Sequence, residues 1–82
     1  SISVYPNPTN GDVTMMVYSF ENRSGRIQVV NVLGQVMMQE EVSLQKGSTN
    51  IPIRLHGLSN GLYTIIFSDA SGKTHTEKVL KQ

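Results

Sequence analysis

The sequence predicts an all-β domain, an antiparallel β-sandwich of about seven strands. Its apolar residues come in short stretches that Gly, Asn, Ser or Pro interrupt about every 8–12 residues, the spacing of strands in a sandwich. Within these stretches the apolar residues recur at alternate positions, and no window shows the 3.6-residue period of an amphipathic helix. A chain of 82 residues fits one small domain.

The first two predicted strands are separated by a turn at Asn10-Gly11. Residues 5–8 read Tyr-Pro-Asn-Pro and cannot be helical, because each proline fixes its own φ and favours an extended conformation in the residue before it. Asn-Gly then favours a turn, since both residues tolerate positive φ. The second strand covers residues 12–20, where both alternating sets are nearly equally apolar, so the pattern leaves open which set faces the core.

The third and fourth predicted strands form a hairpin. A loop at residues 22–25 leads into a strand at residues 26–32, and a second strand follows at residues 36–42. Residues 33–35 connect them tightly, with Gly34 as the pivot because glycine adopts positive φ without steric cost.

The fifth predicted strand has the clearest alternation in the chain. After the polar stretch at residues 45–48, Ile51, Ile53 and Leu55 alternate with polar residues and a proline. Because Pro52 has no backbone N–H, it cannot complete a hydrogen-bond ladder on both sides. This strand is therefore predicted to lie at a sheet edge.

The last two predicted strands cover residues 62–68 and 73–81. Turn residues at 58–61 and 69–72 precede them. The first of the pair is apolar on both faces, which predicts a central strand. Tyr63 follows a corner between strands, so its hydroxyl is a candidate donor to the backbone upstream, the contact known as a tyrosine corner.

Composition excludes several classes of protein. Seven Lys and Arg against six Asp and Glu leave a net charge of +1, without the basic excess that nucleic-acid binding requires. The chain has no Cys and hence no disulfide, and its apolar runs of two or three residues are far shorter than the roughly 18–20 of a membrane-spanning helix. The first eight residues do not resemble a secretion signal, which predicts either a cytoplasmic protein or a piece of a longer precursor.

The ionisable and nucleophilic residues do not form a recognisable active site. His56 and His75 have no second His or Cys at metal-ligand spacing, and Glu40 and Glu41 point to opposite faces of a regular strand. None of the nine Ser residues lies in a Gly-x-Ser-x-Gly elbow. The sequence therefore predicts no catalytic residue, no metal, no cofactor and no small-molecule substrate.

Four short motifs occur in a characteristic order along the chain. They are VYPNPTNG at residues 4–11, NVLGQV at 31–36, LSNGLYTI at 58–65 and KVLKQ at 78–82. Each alone is common, but together, in this order and at this length, they are specific. The sequence resembles the type A C-terminal sorting domain of the type IX (Por) secretion system of Gram-negative bacteria, over essentially its whole length.

The resemblance implies both a fold and a function. Such domains are immunoglobulin-like sandwiches of seven strands at the end of a secreted cargo protein, so residues 1–82 would be one domain excised from a larger precursor. The implied route runs through the periplasm to the cell surface or the medium. The implied partners are the outer-membrane translocon, its shuttle protein and a sortase-like surface peptidase that removes the domain, with cargo attached to lipopolysaccharide in many cases.

Two groups of residues correspond to the motifs of the family. The first group is expected to have structural roles and consists of Pro6, Asn7, Pro8, Gly11, Gly34, Gly61 and Tyr63. The second group is expected to contact the translocon and consists of Lys78, Val79, Leu80, Lys81 and Gln82. Positive charge is concentrated near this second group, because residues 73–82 carry three Lys and one Glu, or +2, whereas the other 72 residues sum to −1.

Two further interpretations stay open from the sequence. One is an accessory carbohydrate- or protein-binding sandwich carried by a secreted enzyme; a small enzyme is the least favoured, because no nucleophile, base and orienting group can be assembled. Strands with two partly apolar faces and open edges also predict weak self-association or edge pairing with a partner.

Overall fold

A computed structural model describes residues 2–82 and contains seven β-strands in that range. The strands are β1 (Ile2–Tyr5), β2 (Asp12–Ser19), β3 (Arg23–Val30), β4 (Val36–Leu44), β5 (Gly47–Arg54), β6 (Gly61–Asp69) and β7 (Thr74–Lys81). Nothing in the described range is a helix long and apolar enough to cross a membrane.

The strands form two antiparallel sheets packed as a sandwich. The smaller sheet has the order β1-β2-β5 and the larger sheet the order β4-β3-β6-β7. The prediction of an all-β sandwich of seven strands is confirmed. The edge position of β5, predicted from Pro52, and the central position of β6 are also confirmed.

The core lies between the two sheets and is built mainly from β2, β3, β5 and β6. On β2 the set that faces inward is Val13, Met15 and Val17, all buried. The register places Val13 opposite Ile53 and Met15 opposite Ile51, and directly opposed residues share one face of a sheet. The alternation on β5 therefore selects the inward face of β2, which its own sequence left undecided.

Strand β3 begins earlier and ends earlier than predicted. Residues 23–25, expected in a loop, are part of the strand, where Gly25 is buried. A Cβ at this glycine would lie 2.6 Å from the Phe67 ring, so the strand passes close to that ring only because position 25 has no side chain. The strand ends at Val30 because Asn31 organises the turn that follows: its Oδ1 accepts the backbone N–H groups of Leu33 and Gln35. Gly34 has φ +84°, as the predicted pivot requires.

The predicted turn at Asn10-Gly11 is present as a bend within a larger loop. Residues 6–11 form a longer connection between β1 and β2, and Gly11 does not have a positive φ. Thr9 organises this connection instead, because its hydroxyl accepts the N–H of Gly11 at 3.1 Å and donates to the carbonyl of Asp12 at 2.9 Å. The polar stretch at 45–48 is also shorter than expected, since β4 extends to Leu44 and β5 starts at Gly47.

The larger sheet extends beyond the smaller one at β4. Because β1 lies against β7, the three-stranded sheet covers β7, β6 and β3 and leaves β4 largely uncovered. Met38, Glu40, Val42 and Leu44 share the inward face of this strand, but only Leu44 is buried. A cleft of about 270 Å³ opens here between β4 and β5.

Candidate functional site

All four sequence motifs meet at one end of the sandwich. The registers bring together the start of β2, the end of β5, the start of β6 and the ends of β3 and β7. The connections at residues 6–11, 31–35 and 55–60 and the terminal Gln82 therefore lie at the same end, which we call the motif end. The connections between β2 and β3, β4 and β5, and β6 and β7 lie at the opposite end.

The first motif is bound to the last through four hydrogen bonds. The side chain of Asn7 donates from Nδ2 to the carbonyl of Lys78 at 2.9 Å and accepts the N–H of Leu80 on Oδ1 at 3.0 Å. The N–H of Thr9 donates to the carbonyl of Leu80 at 2.9 Å, and the N–H of Gln82 donates to the carbonyl of Thr9 at 2.8 Å. We call this set of contacts the clasp. It satisfies backbone groups on the edge of β7 that would otherwise be open to another strand.

The predicted recognition residues at 78–82 alternate between the core and the surface. Val79 is fully buried and Lys81 is 7% exposed, whereas Lys78, Leu80 and Gln82 are exposed. The ammonium group of Lys81 donates to Oδ1 of Asn60 at 3.2 Å, so this lysine connects the tail to the loop before β6. Only the three exposed side chains are presented to a partner by the folded domain.

Tyr63 forms the predicted tyrosine corner. The ring is buried and the hydroxyl donates to the carbonyl of Ser59 at 2.6 Å. Gly61, between them, has φ +154°, a conformation that side-chain-bearing residues rarely adopt. The corner thus sets the path of the chain into β6, next to the buried Val79, which lies directly opposite Tyr63. Pro6 and Pro8 flank Asn7 at the surface.

Ionisable side chains form separate pairs rather than a single cluster. His56 contacts Asp12 at 3.0 Å, and this hydrogen bond holds the pKa of Asp12 below its usual value. His75 contacts Glu77 at 2.8 Å. Within residues 2–82 no group of three or more His, Cys, Asp or Glu side chains is placed to hold a metal ion.

A second arrangement of charges lies at the end opposite the motifs. There Arg23 donates to Asp69 at 2.9 Å beside an open cleft of about 320 Å³. Asp69 also accepts the Ser71 hydroxyl at 2.6 Å and the backbone N–H of Lys73 at 3.0 Å. These hydrogen bonds, that of Ser71 foremost, and the nearby guanidinium hold the pKa of Asp69 below its usual value. The group stabilises the turn between β6 and β7.

Sequence reasoning missed two participants at the motif end, Thr9 and Asn60. Thr9 is buried and bridges to Lys81 in the parallel direction, although a threonine between a proline and an asparagine reads as an ordinary loop residue. Asn60 reads as a turn residue, and nothing local indicates that it accepts a hydrogen bond from Lys81. Both contacts depend on how distant segments pack.

Comparison with known proteins agrees with the arrangement of the motifs. No curated protein gives a significant match. A family model described as the secretion system C-terminal sorting domain matches residues 3–82, nearly the whole chain. This family is not a catalytic one. The chain therefore belongs to the secretion system C-terminal sorting domains, and it is a sorting signal of the type IX system that directs export across the outer membrane to the cell surface or the medium.

Proposed function

We propose that the type IX machinery reads this domain in its folded form at the motif end, through the side chains of Lys78, Leu80 and Gln82. The observation that carries the proposal is the clasp. By binding the edge of β7, the loop at residues 6–11 holds the tail in one conformation, with alternate side chains outward. A pre-ordered tail loses less conformational entropy on binding than a free one, which favours recognition.

The exposed chemistry of the tail suits a partner with an apolar groove and acidic groups. Lys78 supplies a cation, and the local excess of positive charge increases the rate of encounter with a negative surface. Leu80, 40% exposed, supplies apolar area whose burial provides affinity. Recognition of this kind needs a stable scaffold and an accessible surface rather than convergent catalytic groups.

In this proposal, residues 1–82 form the last domain of a larger precursor that first reaches the periplasm. The shuttle protein and the outer-membrane translocon bind the motif end. A sortase-like peptidase at the cell surface then separates the domain from the cargo, and the cargo is released or attached to lipopolysaccharide. The role of the domain itself is recognition, in keeping with a family that is not catalytic.

The test is export of a reporter fused ahead of residues 1–82 in a bacterium with a type IX system. We expect a Lys78→Glu/Leu80→Ser variant to accumulate in the periplasm, because it reverses the charge and removes the apolar contact while leaving Val79 and Lys81 in place. Lys46→Glu is the matched control: Lys46 is also exposed but lies between β4 and β5 at the opposite end. This control should be exported normally.

Folding must be separated from recognition in this experiment. Circular dichroism and the melting temperature of the purified variant should match the parent, since both altered side chains are at the surface. Normal export of the folded double variant would show that these side chains are not what the machinery reads. Equal export defects in the double variant and the Lys46→Glu control would point to net charge alone and would also contradict the proposal.

A further inference from the structure

We propose that the recognition surface extends from the tail across the outer face of the larger sheet to the β3–β4 hairpin, and that it binds an apolar surface of the secretion machinery that carries a carboxylate for Lys78. This inference rests on the proposed function, because it adds residues outside the tail to the surface that the secretion machinery recognises. It assigns a binding role to the exposed hairpin residues Val32 and Leu33 and to Leu62.

The strand register places these residues together. Leu80 on β7 lies directly opposite Leu62 on β6, both on the outer face. The β3–β4 hairpin continues directly from Val30, which pairs with Thr64, and Thr64 shares the outer face of β6 with Leu62 two positions away. The motif end therefore presents Leu62 and Leu80 on two neighbouring strands and the hairpin beside them, although these segments are far apart in the sequence.

A second row of residues lies beside the first. It runs across all four strands of the larger sheet and consists of Lys78, Thr64, Val30 and Val36. Val36 is exposed, while Thr64 and Val30 are half-buried. The row thus adds apolar area at its β4 end, and at its β7 end it reaches the tail at a single cation, Lys78.

The hairpin does not need apolar residues for its own geometry. Asn31 closes it by accepting two backbone N–H groups, and Gly34 supplies the positive φ. Val32 and Leu33 lie between these two residues and are 75% and 79% exposed. Val32 and Leu33 thus add two exposed apolar side chains to Leu62 and Leu80 at the motif end, and a group of exposed apolar residues marks an interaction site.

Charge identifies the kind of partner. Across residues 2–82 Lys78 makes no ion pair. Glu41 is also on the outer face, but it lies towards the other end of the sheet and binds Arg26 at 2.7 Å. A carboxylate on the partner would meet Lys78 within an otherwise apolar contact. A second copy of this chain fits less well, because Glu41 of this face is already paired with Arg26.

The experiment compares two equally exposed apolar positions at opposite ends of the sandwich. A reporter fusion carrying Val32→Ser/Leu33→Ser is compared with one carrying Phe20→Ser, since Phe20 and Leu33 are both 79% exposed. We expect the hairpin variant to be exported about tenfold more slowly than the parent, the effect of losing one or two central apolar contacts. The Phe20→Ser fusion should be exported at the parental rate.

Three further variants make the result decisive. Leu62→Thr removes an apolar side chain from the proposed surface without altering the hairpin, and threonine keeps a high strand propensity. It replaces the hairpin variant in the test if that variant melts at a lower temperature than the parent. Lys78→Arg should retain export and Lys78→Glu should reduce it, as expected for a carboxylate partner. Equal export of Lys78→Arg and Lys78→Glu would overturn the assigned partner chemistry.

The outcomes distinguish this inference from the proposed function. Parental export of the hairpin variant and of Leu62→Thr, together with defective export of Lys78→Glu/Leu80→Ser, would overturn the extended surface and leave the tail as the signal. Parental export of all of these variants would overturn both. The hairpin variant could also be exported normally but show a different concentration dependence of its sedimentation mass. That result would identify a self-association face and would also overturn the inference.

Discussion

The side-chain oxygen of Asn7 accepts the backbone N–H of Leu80 at 3.0 Å, across 73 positions of sequence. Asn7 also donates from its side-chain nitrogen to the carbonyl of Lys78. These two bonds satisfy backbone groups at the edge of β7 that a neighbouring strand would otherwise bind. The contact joins the first and last of the four motifs, which lie at opposite ends of the sequence. The first motif thereby holds the last in a single conformation.

Replacing Asn7 with Ala should loosen the tail without unfolding the sandwich. Two hydrogen bonds at a partly exposed edge are lost, and we expect a destabilisation of about 1 kcal/mol, or roughly 4–8 °C in melting temperature. Hydrogen exchange at the Leu80 amide should accelerate by more than the loss of global stability alone would cause. Asn10→Ala is the matched control, because Asn10 is in the same loop and is exposed. Unchanged protection of the Leu80 amide from exchange in the Asn7→Ala variant would contradict the clasp.

Replacing Tyr63 with Phe removes only the hydroxyl of the tyrosine corner. Loss of this hydrogen bond should lower the free energy of unfolding by about 1 kcal/mol, because the carbonyl of Ser59 loses the Tyr63 hydroxyl as its donor. Urea denaturation followed by fluorescence or circular dichroism measures the change. The same substitution at Tyr18, which is exposed, should alter the stability by less than about 0.5 kcal/mol.

Replacing Gly25 with Ala should be costly although the change is a single methyl group. The new Cβ would meet the Phe67 ring at 2.6 Å and the Ser68 carbonyl at 2.9 Å, and overpacking of this kind costs about 1–3 kcal/mol. Gly57→Ala is the control, since open space surrounds that position and its φ is ordinary. Equal melting temperatures for the two variants would show that the approach of Phe67 does not depend on Gly25.

Asp69 should make the stability of the domain depend on pH in the acid range. Its pKa is below the usual value in the folded protein, so its stabilising effect is present above the unfolded value of about 3.9 and is lost as the pH falls through the lower, folded value. The melting temperature of the parent should exceed that of Asp69→Asn at pH 6, and the difference should shrink towards pH 2. A difference that stays constant over this range would contradict the assignment, as would an Asp69 carboxyl that titrates by NMR at or above 3.9.

Glu40 should limit self-association at the uncovered edge of the larger sheet. It lies opposite Ile27, on the inward side of β4, and an inward-pointing charge at a sheet edge disfavours the addition of another strand. We expect Glu40→Val to shift the sedimentation mass upward with concentration, whereas Glu40→Lys, which keeps a charge at this position, should behave like the parent. Identical concentration dependence for the two variants would show that charge at position 40 does not protect this edge.

Much of the architecture could be predicted from the sequence because its causes are local. Alternating apolar residues bounded by turn residues indicated seven strands, and the missing N–H of Pro52 indicated an edge. The hairpin at Gly34 and the corner at Tyr63 followed from residues within five positions of each other. The local signal was incomplete at Asn10-Gly11, where the chain bends but the side chain of Thr9 organises a longer connection.

By itself the sequence determined the fold class, the number of strands and the order of the motifs, since turn chemistry and two-residue periodicity act over a few neighbouring positions. Only the tertiary structure decided which side chains of the tail are available. Val79 and Lys81 are buried while Lys78, Leu80 and Gln82 are exposed, and a shift of the β6–β7 register by one residue would reverse this assignment. That register depends on pairing between segments remote in the chain, and short-range patterns do not encode it.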